Sequence, residues 1–301
     1  MGAATLIGVV KSFARDFLVW LGRAVVSPLV VFFARRPLGE ELPISVHMLV
    51  SSKTWEMGLL AVLSLEHFSG KRWLLVFHDD GSVSEKAEEA ILTKFPGARF
   101  VRRAEAEQVV ARHLADFPAC RRNRAKHNLF LKFFDPIPFV DGEKYLILDS
   151  DVFFFRRPTE LLEWAVSEER EILYNRDVKE VYCLPRAEIE AETGVKLWES
   201  FNSGLVCMRR EAIDLALSEK LLETFEERAH HPQFFEQTLY ALCASQHGVG
   251  GELPRQYEVS WNMFRQPDAI CRHYVGPAKL EHLYFEGVMV LFYRMTLGLG
   301  S

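Results

Sequence analysis

The chain has 301 residues, 49% hydrophobic and 26% charged. This is the balance of a globular protein able to bury the core of one large α/β domain or slightly more. A formal net charge of -5 argues against a nucleic-acid partner, because such binding rests on clustered Lys and Arg displacing counterions from phosphates. The five cysteines, Cys120, Cys183, Cys207, Cys243 and Cys271, are widely spaced and never form a C-x-x-C pair. They indicate neither a zinc site nor a disulfide framework, and fit reduced thiols in the cytoplasm.

Residues 1–38 are apolar and basic. Lys11, Arg15, Asp16 and Arg23 interrupt the apolar stretches, so no uncharged run approaches the roughly 18 to 20 residues that span a bilayer. Pro28 is expected to disturb any single long helix. Phe13, Phe17, Trp20 and Leu21 share a helical face beside Lys11, Arg15 and Arg23. The segment therefore reads as a peripheral anchor lying on an anionic membrane surface at its cytoplasmic face. Charges inside the apolar region argue against a signal peptide. Arg35-Arg36-Pro37-Leu38-Gly39-Glu40-Glu41 reads as a linker, so that removing residues up to Leu38 is expected to leave a soluble domain.

The main domain is expected over residues 42–285, followed by an apolar tail, 286–301. Ile44 to Val50 reads as a buried strand, and Trp55, Leu59, Val62 and Leu63 mark one helix face. Trp73 to Phe77 is a second strand, closed by the turn His78-Asp79-Asp80-Gly81. A helix near Glu85 to Phe95 leads to a third strand at Arg99 to Val101. Leu129, Phe130, Phe133 and Phe134 form a helix face, and Tyr145 to Leu148 is apolar throughout, as a central parallel strand requires. Leu205 to Met208 reads as another strand, followed by a helix through Ile213, Leu217, Leu221 and Phe225. Such alternation predicts an α/β fold with a mostly parallel central sheet flanked by helices, binding ligands beyond the carboxyl ends of its strands.

The strongest chemical signal is Leu148-Asp149-Ser150-Asp151-Val152, two carboxylates one residue apart at the end of that central strand. Unpaired acids there would cost several kcal/mol to bury, so a cation is expected beside them, and oxygen ligands suit Mg²⁺ or Mn²⁺. The bland alternative is one Asp capping a turn and the other solvated. Asn202-Ser203-Gly204 places a carboxamide and flexible backbone just before a strand. His273-Tyr274-Val275-Gly276-Pro277-Ala278-Lys279 joins an imidazole, which can complete a Mn²⁺ site, to an ammonium that can meet a phosphate.

In their order and spacing these segments resemble the retaining GT-A glycosyltransferases of family 8, which include bacterial lipopolysaccharide galactosyltransferases and glycogenin. The resemblance runs from about Ile44 to His282 through D-x-D, N-[AS]-G, D-Q (here Glu236-Gln237) and H-x-x-G-x-x-K. It implies a GT-A nucleotide-diphospho-sugar transferase fold and a metal-dependent enzyme that uses a nucleotide-sugar donor and retains anomeric configuration. Asp149, Asp151 and His273 would ligate the metal, with Lys279 and Gly276 at the donor diphosphate. Ser150, Asn202, Gly204 and the basic position Lys132 would complete the donor site. Asp177 would touch the donor sugar, and Glu236 and Gln237 would lie at the reacting face. The acceptor, whether a glycan, a lipid-linked glycan or a protein, is not specified. The chain departs from the pattern at Val50-Ser51-Ser52-Lys53, where acids are common, at Glu236 for Asp, and at Leu280-Glu281 for Pro-Trp.

Plainer readings are favoured elsewhere: Asp79-Asp80-Gly81 as a turn, Arg121 to Lys126 as a solvated charge run, and His230-His231 as a helix end before Pro232. A haloacid-dehalogenase-type hydrolase would want its D-x-D early in the domain. A sugar-nucleotide nucleotidyltransferase would want glycines after the first strand, and a membrane-associated binding protein with an inactive domain would not need an intact D-x-D.

Overall fold

The computed structural model describes residues 15–169, 171–228 and 234–296. Its strands are β1 (Glu41–Val50), β2 (Arg72–Asp79), β3 (Arg99–Val101), β4 (Lys144–Leu148), β5 (Val152–Phe154), β6 (Ile172–Arg176), β7 (Phe201–Arg209), β8 (Gly250–Glu252), β9 (Tyr257–Ser260) and β10 (Cys271–Tyr274). Seven form one sheet in the order β3-β2-β1-β4-β7-β6-β8, and β5-β10-β9 form a second. β1 begins three residues before the expected strand, β2 runs one residue earlier and two later than expected, and β3 falls where it was expected.

Because successive side chains of a strand point to opposite faces, an all-apolar strand feeds two cores. In β4, Leu146 and Leu148 join the core under the Trp55–Ser69 helix, while Tyr145 and Ile147 join the one under the Leu129–Phe134 and Phe235–His247 helices. β7 divides the same way, Leu205 and Cys207 against Val206 and Met208. Helices therefore cover both faces. All five cysteines are buried and free.

β1, β2, β3 and β4 are mutually parallel, but β7 pairs antiparallel with both β4 and β6. The reversal matters for the site. It brings the first residues of β7 to the edge where β1, β2, β4 and β6 end. Asn202-Ser203-Gly204 lies inside β7, not before it, and all three residues are buried.

The N-terminal helix, Arg15–Phe33, runs through Pro28 without a break. The sequence expectation of a disturbed helix fails because a π-helical turn, Gly22–Val26, precedes the proline. A widened turn relieves the ring's clash with the preceding carbonyls, and Ser27 donates from its N–H and, at 2.9 Å, its hydroxyl to the Gly22 carbonyl. Among the described residues this helix is long and apolar enough to cross a membrane by length and composition. The positions Phe13 and Lys11, which entered the anchor reading, lie outside the described residues.

Residues 279–296 form a C-terminal helix with two π-helical stretches, and the N-terminal helix packs along it. A Cβ on Gly22 would stand 2.6 Å from the Tyr284 carbonyl oxygen, so glycine sets this close approach. Val26 and Val30 are buried in the same core as Tyr284, Val288 and Leu291. Lys94 donates to the carbonyls of Val31 and Ala34, and Arg36 forms a two-pronged ion pair with the fully buried Glu66. Deleting residues up to Leu38 strips this core and leaves Glu66 uncompensated, so the truncated chain should be poorly soluble or melt far below the full chain. Gly22→Leu, which overpacks only the helix contact, should cost about 1–3 kcal/mol, measured by thermal or urea unfolding.

Candidate active site

The carboxyl ends of β1, β2 and β4 surround a cleft of about 640 Å³. Leu49, Val50, Ser51, Thr54, Asp80 and Asn128 line one end, Asp177, Lys179, Val181 and Trp261 the other, with charged groups between them. Every candidate donor-site, metal or catalytic residue named from the sequence except Gly204 lines this cleft: Asp149, Ser150, Asp151, Lys132, Asp177, Asn202, Glu236, Gln237, His273, Gly276 and Lys279.

The acidic pair sits in the tight turn between β4 and β5. Asp149 donates its N–H to the Gly204 carbonyl at 2.7 Å, and the Asp151 carbonyl accepts from the Tyr274 N–H at 3.0 Å. β5 pairs antiparallel with β10, setting His273 opposite Val152. His273 Nε2 thereby lies 3.2 Å from Asp151 Oδ1 and 3.8 Å from Asp149 Oδ2. One ligand atom from each of the three residues falls within 4.8 Å of the others.

The hydrogen bonds of Asn202 decide the state of that imidazole. Its Nδ2 donates to Asp177 Oδ2 at 2.9 Å and its Oδ1 accepts from the Gly204 N–H at 3.0 Å. The amide orientation is fixed, because a carboxylate only accepts and an N–H only donates. His273 Nδ1, 2.8 Å from the same Oδ1, must then be the donor. In neutral His273 the Nε2 lone pair therefore faces two carboxylates. Acceptors converging at such distances favour positive charge among them, and a divalent cation can supply it. Two carboxylate oxygens and one imidazole nitrogen are a donor set that suits a hard-to-borderline metal, with Asn202 as the outer partner that orients the ligand.

Gly204 contributes through the side chain it lacks. A Cβ there would stand 2.3 Å from His273 Nδ1 and Cε1. Gly276 adopts φ +85, and a Cβ would lie 2.8 Å from Trp261 Cδ1. The glycine of the H-x-x-G-x-x-K segment thus makes the turn and admits the indole.

Two lysines neutralise the acids. Lys279 Nζ lies 2.8 Å from Asp151 Oδ2. Burial works against a charged Asp151, yet the facing His273 and Lys279 hold its carboxyl below the usual carboxylate range. Lys132 Nζ, almost wholly buried, reaches Asp149 Oδ1 at 2.8 Å, Ser203 Oγ at 3.2 Å and Glu236 Oε1 at 3.3 Å. Burial disfavours its ammonium, but Asp149 and Glu236 outweigh that and raise its pKa. Glu236 has the opposite balance: burial pushes its carboxyl up to about 7 although Lys132 opposes the rise. Its Oε2 accepts from Ser203 Oγ at 3.0 Å. The Gln237 amide is held at both ends, Oε1 accepting from the Ser203 N–H at 3.3 Å and Nε2 donating to the Val181 carbonyl at 2.9 Å.

Sequence reasoning missed Trp261 and Lys179. Trp261 is about half exposed at the cleft rim with the Lys179 ammonium 5.4 Å from its ring. A tryptophan in the polar stretch Ser260-Trp261-Asn262, where no core periodicity needs it, was the available signal. Asp79 closes its turn by accepting from the N–H groups of Gly81 and Val83, in line with the turn reading. The solvated-run reading of Arg121 to Lys126 needs one correction. Arg124 is buried in a two-pronged pair with Asp135, because helix Pro118–Lys126 turns that side chain inward. His230, His231 and Pro232 lie outside the described residues.

No protein-family profile and no curated protein matches the sequence. Solved structures do match the fold. The galactosyltransferase LgtC, solved with donor and acceptor sugar analogs, aligns over 84% of this chain and 96% of its own at TM-score 0.55 and 16% identity. An active-site mutant of LgtC aligns over 78% and 88%, at TM-score 0.50 and 17% identity. The glycosyltransferase GlyE of Streptococcus pneumoniae TIGR4 in its apo form aligns over 87% of this chain and 64% of its own, at TM-score 0.51 and 12% identity. The chain has the GT-A glycosyltransferase fold, with the mostly parallel sheet flanked by helices that the sequence pattern implied.

The raised Glu236 carboxyl sets a pH dependence. The group ionises more readily in the unfolded chain, so its contribution favours the fold below pH 4.5 and is lost as pH rises to about 7. Glu236→Gln lacks this linkage. The stability of Glu236→Gln relative to wild type should therefore increase between about pH 4.5 and 7 and level off above, as read from urea unfolding at a series of pH values.

Proposed function

We propose that this protein is a metal-dependent glycosyltransferase that moves a sugar, with retention of configuration, from a nucleotide-diphosphate donor to an acceptor glycan. The observation that carries the reading is the convergence of Asp149, Asp151 and the His273 Nε2 lone pair beside Lys279, inside a GT-A fold. Asp149, Asp151 and His273 would hold Mn²⁺ or Mg²⁺, and the bound ion would neutralise the diphosphate as it leaves.

The rest follows from the chain's own residues. Lys279, now paired with Asp151, is the exposed cation at the centre of the cleft and is placed to meet the donor diphosphate. Lys132 stays charged beneath Asp149 and orients that carboxylate. The nucleotide fits the end lined by Ser51, Thr54, Asp80 and Asn128, where two parallel strands stop. The donor sugar then falls near Asp177, Glu236 and Gln237. Both ends of the Gln237 amide are fixed, so its carbonyl is a stationary dipole on the reacting face, suited to stabilising a cationic sugar. Glu236 lies buried against Lys132 and Ser203, a position that supports tuning of the site over service as the free acceptor base an inverting enzyme needs. Exposed aromatic side chains on the N-terminal helix support a peripheral position at a membrane surface.

A panel of nucleotide sugars with Mn²⁺, scored for donor hydrolysis, tests the activity. At least one donor should turn over, excess chelator should abolish the turnover, and Mn²⁺ should serve at least as well as Mg²⁺. Asp151→Ala should lose essentially all activity while remaining folded, and Asn202→Ala should weaken Mn²⁺ affinity by about 10–100-fold. Full activity in chelator, or product of inverted configuration by NMR, would refute the corresponding part.

A further inference from the structure

Exposed apolar side chains collect along the terminal helices and run to the cleft. On the N-terminal helix Trp20 is 56% and Phe32 78% exposed, with Phe17, Leu29 and Phe33 also open to solvent. On the C-terminal helix Phe285, Met289 and Tyr293 recur every four residues, the last two exposed. The Phe264 ring, 60% exposed, lies 6.3 Å from that of Phe285 and belongs to the loop that begins at Trp261 on the cleft rim. A buried ion cluster fixes this loop to the helix. Arg265 Nη1 lies 2.5 Å from Glu286 Oε1, and Arg272 of β10 donates to the carbonyls of Asn262 and Met263.

The packing also says how such a surface meets lipid. The N-terminal helix is apolar enough to cross a bilayer, yet Gly22, Val26 and Val30 are spent against the C-terminal helix and core. A helix held along the protein on one face and apolar on the other lies in a membrane interface and does not cross it. Trp20, Tyr293 and Trp261 are aromatic residues of the kind that favour the headgroup level. Arg15 and Arg23 are paired with Asp16 and Glu56, and the exposed Arg35 beside Phe33 supplies the positive charge that an anionic surface attracts.

We propose that the two terminal helices and the loop from Trp261 to Arg265 form one surface that docks into an anionic phospholipid bilayer. The cleft then opens beside the lipid. Under the transferase reading, on which this last step rests, the acceptor is a sugar carried on a lipid.

The test uses the full chain and vesicles of phosphatidylcholine with or without phosphatidylglycerol. Wild type should co-sediment with the anionic vesicles, and the double variant Met289→Glu, Tyr293→Glu should bind about tenfold more weakly or worse. Phe264→Glu should weaken binding in the same direction. None of these three residues lines the cleft, so donor hydrolysis should persist, and an unchanged circular dichroism spectrum and melting temperature serve as the folding control. Vesicles containing brominated lipid should quench tryptophan emission, and Trp261→Phe should remove part of the quenched signal. Equal binding by the double variant overturns the composite surface in favour of the N-terminal helix alone. An unchanged quenched fraction in Trp261→Phe turns the cleft away from the lipid and removes the lipid-borne acceptor. A dimer dissociated by the double variant, without vesicle binding, gives the face to a second copy. These readouts need no turnover, so failure of the transferase reading shows separately, as absent donor hydrolysis.

Discussion

Two carboxylates held at the end of the central strand set the charge requirement that the surrounding groups meet. Asp149 and Asp151 cannot share a desolvated turn without positive charge nearby. Lys132 approaches from the helix before β4, Lys279 from the start of the C-terminal helix, and His273 from the second sheet. Lys132 is far from the other two in the chain, whereas His273 and Lys279 stand at the two ends of one seven-residue segment. The small sheet, the antiparallel β7 and the last helix can all be understood as means of delivering one of these groups, or its orienting partner, to one place.

That compensation is arranged so that it can be redistributed. Lys132 is buried and raised in pKa, and it is held by contacts to Asp149 and Glu236. Lys279 is about half exposed and bonded to one carboxylate. The first behaves as a fixed part of the protein, and the second, under the proposed function, is the group that would exchange a carboxylate partner for a phosphate. Glu236, with a carboxyl near neutrality, is the member whose charge state is least settled by its surroundings. It stands where the related pattern carries an aspartate, and the longer side chain reaches Lys132.

The terminal helices connect this chemistry to the outside of the molecule. The helix that begins with Lys279 continues past Glu286, which anchors the Trp261 loop, to the face it shares with the N-terminal helix. An apolar segment that reads as a detachable anchor in the sequence is thus also part of the core. Its glycine, Gly22, marks the contact, since any larger residue would meet the Tyr284 backbone.

The sequence by itself determined the α/β alternation, the central strand and the identity of the charged residues, because these depend on periodicity and on residue type. Tyr145 to Leu148 is apolar on both faces, and Asp149-Ser150-Asp151 ends it abruptly. The continuous helix through Pro28 was hidden because relief of a proline depends on the widened turn before it, which no local propensity encodes. Only the tertiary structure decided that β7 runs antiparallel, since strand direction follows from pairing across distant segments and not from composition. That reversal buries Asn202, bonds it to Asp177 and His273, and selects the imidazole tautomer. Trp261 likewise became part of the site only when the turn at Gly276 folded beneath it. Residue chemistry is written in the chain, whereas the convergence of Asp149, His273, Lys132 and Trp261 exists only once pairing and packing have closed the distances between them.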